Sequence, residues 1–349
     1  MKKTGKRALI TGITGQDGSY LAEYLLSLGY DVWGLVRRTS QNSFGNIENF
    51  IEPPKGVKLV YGSMRDQATL RAAIEESDPH EIYNLAAQSH VWVSFKSPDE
   101  TMDINYHGLG RLVHEAMSHN PKIRIYQAST SEMFGSTKPP QSEKSPLKPV
   151  SPYATAKLYA HSDYVVGYRD RYGLFICSGF LFNHESPRRG EIFVTRKITI
   201  ALAKIKLGLQ DKLVLGNLDA KRDWGFAGEY VKVMHKMLQQ KTPEDFVIAT
   251  GESHTVREFV EEAAKALDMK ITWSGKGVKE VGKDENGKVI VEVSPEFYRP
   301  NEVHYLLGDA SKARRKLKWK RETSFEDLVA MMAKADLEKY SKLKKGGLI

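Results

Sequence analysis

Thr11-Gly12-Ile13-Thr14-Gly15-Gln16-Asp17-Gly18 separates two unlike hydrophobic patterns. Before it, Arg7 to Thr14 is apolar and β-branched and reads as a strand. After it, Asp17 to Leu28 repeats its apolar residues at helical spacing. Glycines at 12, 15 and 18 give G-x-x-G-x-x-G at this strand-to-helix junction. Gly12 and Gly15 would let the backbone turn tightly and approach a pyrophosphate, and Gly18 would let the helix pack closely. The helix start adds unpaired N–H groups and a positive dipole end for that anion. Three glycines alone also fit a plain Gly-rich turn; the strand before and the helix after favour a phosphate cradle.

Outward from this junction the same alternation continues. Tyr30 to Arg38 and Val57 to Ser63 read as strands, and Asp66 to Ser77 as the helix after them. Glu81 to Ala87, Ile123 to Thr130 and Leu174 to Phe182 are further strands, with long helices at Thr101–His119 and Tyr153–Tyr172. This order predicts an α/β fold: a Rossmann-type, doubly wound parallel sheet over residues 1–182. Such sheets bind dinucleotides outside the carboxyl ends of their strands, near the switch in strand order. After Asn183 the pattern loosens. Glu191–Leu207, Gly228–Gln240, Val256–Leu267 and Phe325–Lys339 read as helices, Lys212–Leu215 as a short strand, and Gly275–Val291 as a hairpin or loop. Residues 183–349 are therefore expected to form a smaller, irregular α/β lobe that binds substrate. Returns of the chain to the first domain are expected near 220–250 and 304–309.

Composition narrows the function classes. The 349 residues are 41% hydrophobic and 27% charged, which suits a soluble protein with a sizeable core, and no apolar run is long enough for a membrane helix. Net charge is +9, but the basic residues are dispersed. The denser stretch Lys312–Arg321 carries Ala313, Leu317 and Trp319, and reads as a solvated helix face followed by a short connection. No nucleic-acid signature accompanies it, so a polyanionic small ligand is the expected partner rather than nucleic acid or a membrane. The basic start, Met1 to Arg7, leads only into Ala8-Leu9-Ile10, too short for a signal-peptide core. One cysteine, Cys177, excludes an intrachain disulfide and fits a cytoplasmic setting. It reads as a buried strand residue. No metal is expected.

Two further patterns carry chemistry. The second strand ends in Arg37-Arg38, where an NAD-binding fold usually has an acidic residue for the ribose 2′-hydroxyl; arginine there suits the 2′-phosphate of NADP. Tyr153-Ala154-Thr155-Ala156-Lys157 is Y-x-x-x-K, and residues four apart share a helix face. The ammonium can lower the phenol pKa, so that the tyrosine takes a hydroxyl proton as hydride leaves the same carbon. Ser151 and Pro152 precede it as a cap and a first-turn proline would. Upstream, a strand ends in Ser129-Thr130-Ser131-Glu132, aimed at the same cleft in a parallel sheet. Taken alone, Y-x-x-x-K is a common chance pattern, and Glu132 alone could be a loop carboxylate.

With these residues in hand, the chain resembles the extended short-chain dehydrogenase/reductase superfamily. Within it, Thr-Ser-Glu resembles the sugar-nucleotide dehydratases, and the long stretches resemble the GDP-mannose 4,6-dehydratase family. Those stretches are Ile10–Tyr20, Tyr126-Gln127-Ala128-Ser129-Thr130-Ser131-Glu132, Phe182-Asn183-His184-Glu185-Ser186-Pro187-Arg188-Arg189-Gly190, Gly216–Gly225 and Tyr298-Arg299-Pro300. The resemblance implies a hydro-lyase that uses tightly bound, internally recycled NADP. It implies catalytic roles for Thr130, Glu132, Tyr153 and Lys157. It implies cofactor contacts from Gly12, Thr14, Gly15, Gln16, Asp17, Gly18, Arg37, Arg38, Ser63, Met64, Leu85, Ala86, Ala87, Gln88, Ser89, Tyr153, Lys157, His184 and Arg189. Contacts to the GDP-sugar are implied for Ser89, Thr130, Asn183, Lys197, Arg222, Arg299 and Glu302.

A homo-oligomer, dimer or tetramer, is implied as well, with helices Thr101–His119 and Tyr153–Tyr172 paired between subunits and the Arg37–Ser40 loop reaching a neighbour. Two positions depart from the family pattern. Ser63 stands where Asp is usual after Tyr-Gly, and Glu100 where Tyr is usual before Thr-x-Asp. Adenine recognition is expected to differ accordingly, and a related GDP-hexose or GDP-heptose remains an alternative substrate. A GDP-sugar reductase or epimerase on this fold would not need Glu132. A non-catalytic NADP-sensing protein would not need Tyr153 and Lys157.

Overall fold

In the computed structural model, residues 4–40, 44–50, 56–297 and 305–349 are described. The glycine motif leaves β1 (Arg7–Thr11), which is buried from Ala8 onward. Around it run β2 (Asp31–Val36), β3 (Lys58–Tyr61), β4 (Glu81–Asn84), β5 (Arg124–Thr130), β6 (Ile176–Leu181) and a seventh strand, Phe246–Ile248. Their spatial order is seventh strand, β6, β5, β4, β1, β2, β3, and every pairing is parallel. All residues of β4 and β6 are buried, as expected of parallel strands covered on both faces. The order reverses between β1 and β4, which puts the topological switch point beside the glycine motif.

Helix α1 (Gln16–Ser27) and helix α2 (Gln67–Ser77) are close to their expected limits. The two long helices are continuous but not uniform. The run from Pro98 to His119 is π-helical at Asp103–His107, and the run from Pro152 to Tyr172 is π-helical at Ala160–Val166. Leu9, Ile82, Ile125 and Ile176 pack with Leu70, Ile74, Leu112 and Val165 in one core of this unit.

The chain divides into two compact units. The first comprises Met1–Phe182, Ala227–Ala249 and Gly308–Lys320; the second comprises Asn183–Phe226, Thr250–Leu307 and Arg321–Ile349. In the second unit, helices Val194–Lys206, Val256–Ala266 and Phe325–Lys345 enclose a core with Trp224, Phe259 and Phe325. A four-stranded sheet is built from Thr272–Ser274, Val281–Lys283, Val289–Val293 and Leu213–Leu215. The Gly- and charge-rich segment is thus an antiparallel hairpin.

Two helix limits of this unit differ from the sequence reading by three residues or more. The first of these helices begins at Val194 rather than Glu191, because Phe193 is extended (φ −79, ψ 146) and acts as its N-cap. The last continues to Lys345, and its final turn carries Lys342, Lys344 and Lys345, cations that suit the negative end of the dipole. Helix Ser311–Leu317 buries Ala313 and Leu317 and exposes Arg314, Arg315 and Lys316, as a solvated helix face would.

Candidate active site

The glycine turn is shaped by what a side chain would strike. Gly12 has φ +71, and a Cβ there would lie 2.8 Å from the Ala86 nitrogen. A Cβ on Gly18 would lie 2.4 Å from the Gly12 carbonyl oxygen, so Gly18 allows α1 to close on the turn. Gly15 is the N-cap of α1 and, as glycine, supplies no side-chain cap. Thr11, missed as a functional residue by the motif reading, ties this turn to the end of β4. Its hydroxyl oxygen accepts from the backbone N–H of Leu85 and of Ala86, each at 3.1 Å.

After β2, Arg37 and Arg38 are exposed, and neither has an ion-pair partner among the described residues. After β3, the Ser63 hydroxyl oxygen accepts from the Arg65 N–H at 3.2 Å, and Met64 is buried. Glu100, the other departure from the family pattern, pairs with Arg65 at 3.4 Å; Asp103 pairs with Arg65 at 2.9 Å and with Arg111 at 2.7 Å. Both departures therefore meet at Arg65. After β4, Asn105 clamps the backbone of Gln88. The Asn105 side-chain oxygen accepts from the Gln88 N–H at 2.9 Å, and its nitrogen donates to the Gln88 carbonyl at 2.9 Å. Asn105 sits in the π-helical segment, and its only signal in the sequence is a polar residue at a buried helical position.

The four candidate reacting groups all belong to the first unit. Thr130 ends β5 and caps the short 3₁₀ turn Ser131–Phe134; its hydroxyl oxygen accepts from the Glu132 N–H at 3.2 Å. That bond fixes the Thr130 rotamer and the start of the Glu132 turn together. Glu132 is itself buried. Helix Pro152–Tyr159 packs against both β5 and this turn. Its start is set as expected: the Ser151 hydroxyl oxygen accepts from the Ala154 N–H at 3.1 Å, and Pro152 occupies the first turn. Tyr153 and Lys157 are buried on this helix, and the Lys157 ammonium donates to the Ala128 carbonyl at 2.8 Å. Burial pulls the Lys157 pKa down to about 8. Cys177 lies in β6, where burial pushes its thiol pKa up and keeps it a core residue.

In the second unit, Asn183–Glu185 pairs in parallel with Trp224–Phe226, Asn183 standing in register with Trp224, two residues beyond Arg222. Arg222 is buried, and its guanidinium donates to the Lys221 carbonyl at 2.9 Å. Lys197 lies 3.6 Å from the centre of the Phe297 ring, and burial lowers its pKa. His184 is buried; Arg189 stacks on Phe193 at 3.8 Å and pairs with Glu185 at 3.3 Å. Arg299 and Glu302 lie outside the described residues. Among the described residues no group of three His, Cys, Asp or Glu side chains converges as metal ligands.

The sheet order, the glycine cradle and the helix-borne Tyr153 and Lys157 define a Rossmann-like fold of the short-chain dehydrogenase/reductase kind. A UDP-glucose 4-epimerase from Thermus thermophilus in complex with NAD superposes with a TM-score of 0.78 at 24% identity, covering 95% of this chain and 98% of that one. A dTDP-glucose 4,6-dehydratase from Bacillus anthracis, also in complex with NAD, gives a TM-score of 0.78 at 21% identity, covering 98% of each chain.

Residues 9–332 match the family described as GDP-mannose 4,6 dehydratase. The chain is 52% identical over 345 residues to GDP-mannose 4,6 dehydratase 1 of Arabidopsis thaliana, covering 96% of this chain and 91% of that protein. It is 51% identical over 347 residues to the human GDP-mannose 4,6 dehydratase, covering 97% and 93%. The chain belongs to the GDP-mannose 4,6-dehydratase family.

Proposed function

We propose that this chain converts GDP-D-mannose to GDP-4-keto-6-deoxy-D-mannose and water, and that Thr130, Glu132, Tyr153 and Lys157 carry the reaction. The observation that carries the reading is Glu132: a buried carboxylate on the turn that Thr130 caps, against which the helix of Tyr153 and Lys157 packs. Hydride transfer alone needs no such group; elimination does. Tyr153 removes the O4 proton of the hexose, with Lys157 holding the phenolate form by its charge. Thr130 donates its hydroxyl proton to O4, since its own oxygen already accepts from the Glu132 N–H. Once C4 is a ketone, the C5–H is acidic. Glu132 takes that proton and returns it to the leaving C6 hydroxyl as water; when C6 is reduced, C5 takes up a proton again, which balances the one Tyr153 removed from O4. A nicotinamide held by the first unit would supply the redox chemistry, hydride acceptance from C4 and donation at C6, with no net oxidation or reduction over one turnover.

The first unit fits such a cofactor. Gly12 and Gly18 leave no room for side chains and α1 starts at a glycine N-cap, so Gly12–Gly18, with Thr14, Gln16 and Asp17, would hold the pyrophosphate at the positive end of the helix dipole. Leu85–Ser89 would follow the nicotinamide half, and Ser63 and Met64 the adenine. Arg37 and Arg38, exposed and without ion-pair partners among the described residues, favour NADP, because a 2′-phosphate needs fixed positive charge there. Asn183, Lys197 and Arg222, with Arg299 and Glu302, would bind the GDP moiety; arginine suits a diphosphate because its fork is bidentate.

The protein is further read as a cytoplasmic homo-oligomer. Tyr159 and Tyr172, both exposed on the Pro152–Tyr172 run, suit a subunit contact there, and a single buried thiol suits a reducing compartment. No described helix is long and apolar enough to cross a membrane.

The test is to incubate the purified protein with GDP-mannose and no added cofactor. The alkali-developed ultraviolet absorbance of a 4-keto sugar is expected. Turnover only with added NADPH, and no 4-keto product, would instead identify a reductase.

A further inference from the structure

His161 belongs to none of the motifs, yet it lies on the same helical run as Tyr153 and Lys157 and faces the same strands. It is in the π-helical segment Ala160–Val166, and such segments often mark functional positions. Its buried ring packs edge-on against Phe180, with centroids 4.9 Å apart. Its Nδ1 is 3.0 Å from the Ser178 hydroxyl oxygen, which also accepts from the Ser129 hydroxyl at 3.1 Å. With Ser129 donating, the Ser178 proton is left for Nδ1, so the matching tautomer is neutral imidazole with its proton on Nε2. Burial lowers the His161 pKa, against the pull of Asp245 and with the push of Arg169.

This contact closes a polar row across the sheet. Thr11, Asn84, Gln127 and Ser178 are register partners on β1, β4, β5 and β6. Two residues earlier on the same face, the row is Leu9, Ile82, Ile125 and Ile176, wholly apolar and buried. In the polar row the Thr11 hydroxyl donates to the Asn84 side-chain oxygen at 2.6 Å, and the Asn84 nitrogen to the Gln127 oxygen at 2.7 Å. The Gln127 nitrogen donates to the Ala128 carbonyl at 2.9 Å, the same carbonyl that holds Lys157. A buried polar row costs desolvation unless its members are paired, and an apolar row would pack as well without that requirement. Gln127, Ala128 and Ser129 are all held, and the next residue is Thr130.

We propose that His161 is a positioning residue: through Ser178 and Ser129 it pins the end of β5, and so places the Ala128 carbonyl that holds Lys157 and the turn that carries Thr130 and Glu132. This rests on reading those three as reacting groups. The test compares the full-length variants His161→Phe, which keeps the ring edge on Phe180, and His161→Asn, which restores an acceptor near the Nδ1 position. For His161→Phe, kcat on GDP-mannose is expected to fall roughly tenfold or more, with KM changed by less than about twofold. Amide exchange at Ala128–Ser131 should quicken with it. His161→Asn should recover most of both.

Ser178→Ala breaks the same link from the strand side with a smaller change and should give the same split where His161→Phe does not fold. Wild-type kcat in His161→Phe, a loss that His161→Asn does not recover, or unchanged exchange at the strand end would overturn the proposal. Exchange needs no turnover. A wild-type chain that makes no 4-keto product would therefore remove the functional reading, while the exchange comparison still decides whether His161 pins the strand.

Discussion

The two units hold their candidate residues in different ways. In the first, Gly12, Arg37, Ser63 and Leu85 follow, and Thr130 ends, five strands whose parallel register is continuous, so the sheet itself sets their spacing. In the second, Asn183 and Arg222 sit on strands of three and two residues, and Lys197 on a helix that packs through Ile198, Ala201 and Leu202. The proposed function puts chemistry that tolerates little displacement on the registered edge, and binding of a long, charged ligand, which many contacts share, on the less regular framework. The comparison predicts that losses in the first unit appear in kcat and losses in the second in KM.

The largest effects sharpen the first half of that statement. Glu132→Gln and Tyr153→Phe are each expected to lower kcat by roughly 10²–10⁴, the range for a lost general acid or base, with little change in KM. Steady-state kinetics on GDP-mannose measures it; near-wild-type product formation by Glu132→Gln would remove its role.

Next in size, Arg222→Ala should raise KM roughly ten- to hundredfold, the worth of a charged hydrogen bond to a diphosphate, with kcat largely kept. A kcat loss of the size of Glu132→Gln would break the comparison, since the second unit would then position the chemistry as well.

A smaller effect follows from the Lys157 pKa of about 8. Burial lowers it, so the ammonium is present below that pH and lost above it. Turnover that needs the ammonium should therefore fall roughly tenfold between about pH 7 and pH 9, and Lys157→Arg should move that limb upward. A flat alkaline profile would show that another charge serves Tyr153.

Arg37→Ala should weaken NADP by about tenfold and leave NAD nearly unchanged; equal losses in a titration of both would count against a 2′-phosphate contact. Smallest of all, Arg65→Ala breaks exposed pairs to Glu100 and Asp103 and should cost less than about 1 kcal/mol in thermal unfolding. A marked change in cofactor affinity in that variant would show that the Ser63–Arg65–Glu100 group recognises adenine.

Much of the first unit is legible in the sequence. The alternation of Arg7–Thr14 with Asp17–Leu28, and of the later strands with their helices, follows local periodicity, and parallel strands buried on both faces write that periodicity plainly. The cap Ser151-Pro152 and the four-residue spacing of Tyr153 and Lys157 are likewise local. The second unit was less legible because its short strands carry too few residues to show a period. Its hairpin Val281–Val293 appeared only as a Gly-rich, charged stretch. The π-helical segments at Asp103–His107 and Ala160–Val166 left no signal, since they change hydrogen-bond partners and not the apolar pattern.

From sequence alone came the residue types and their order: three glycines after a strand, a Thr-Ser-Glu strand end, a Y-x-x-x-K helix, and with them the family. The tertiary structure alone decided which side chains support them. Thr11 reaches the end of β4, Asn105 clamps Gln88, Ala128 holds Lys157, and His161 reaches Ser129 through Ser178. These partners are 17 to 74 residues apart in most cases. A one-dimensional pattern records what each residue can offer; only the register between strands and the docking of helices determines which offer is met.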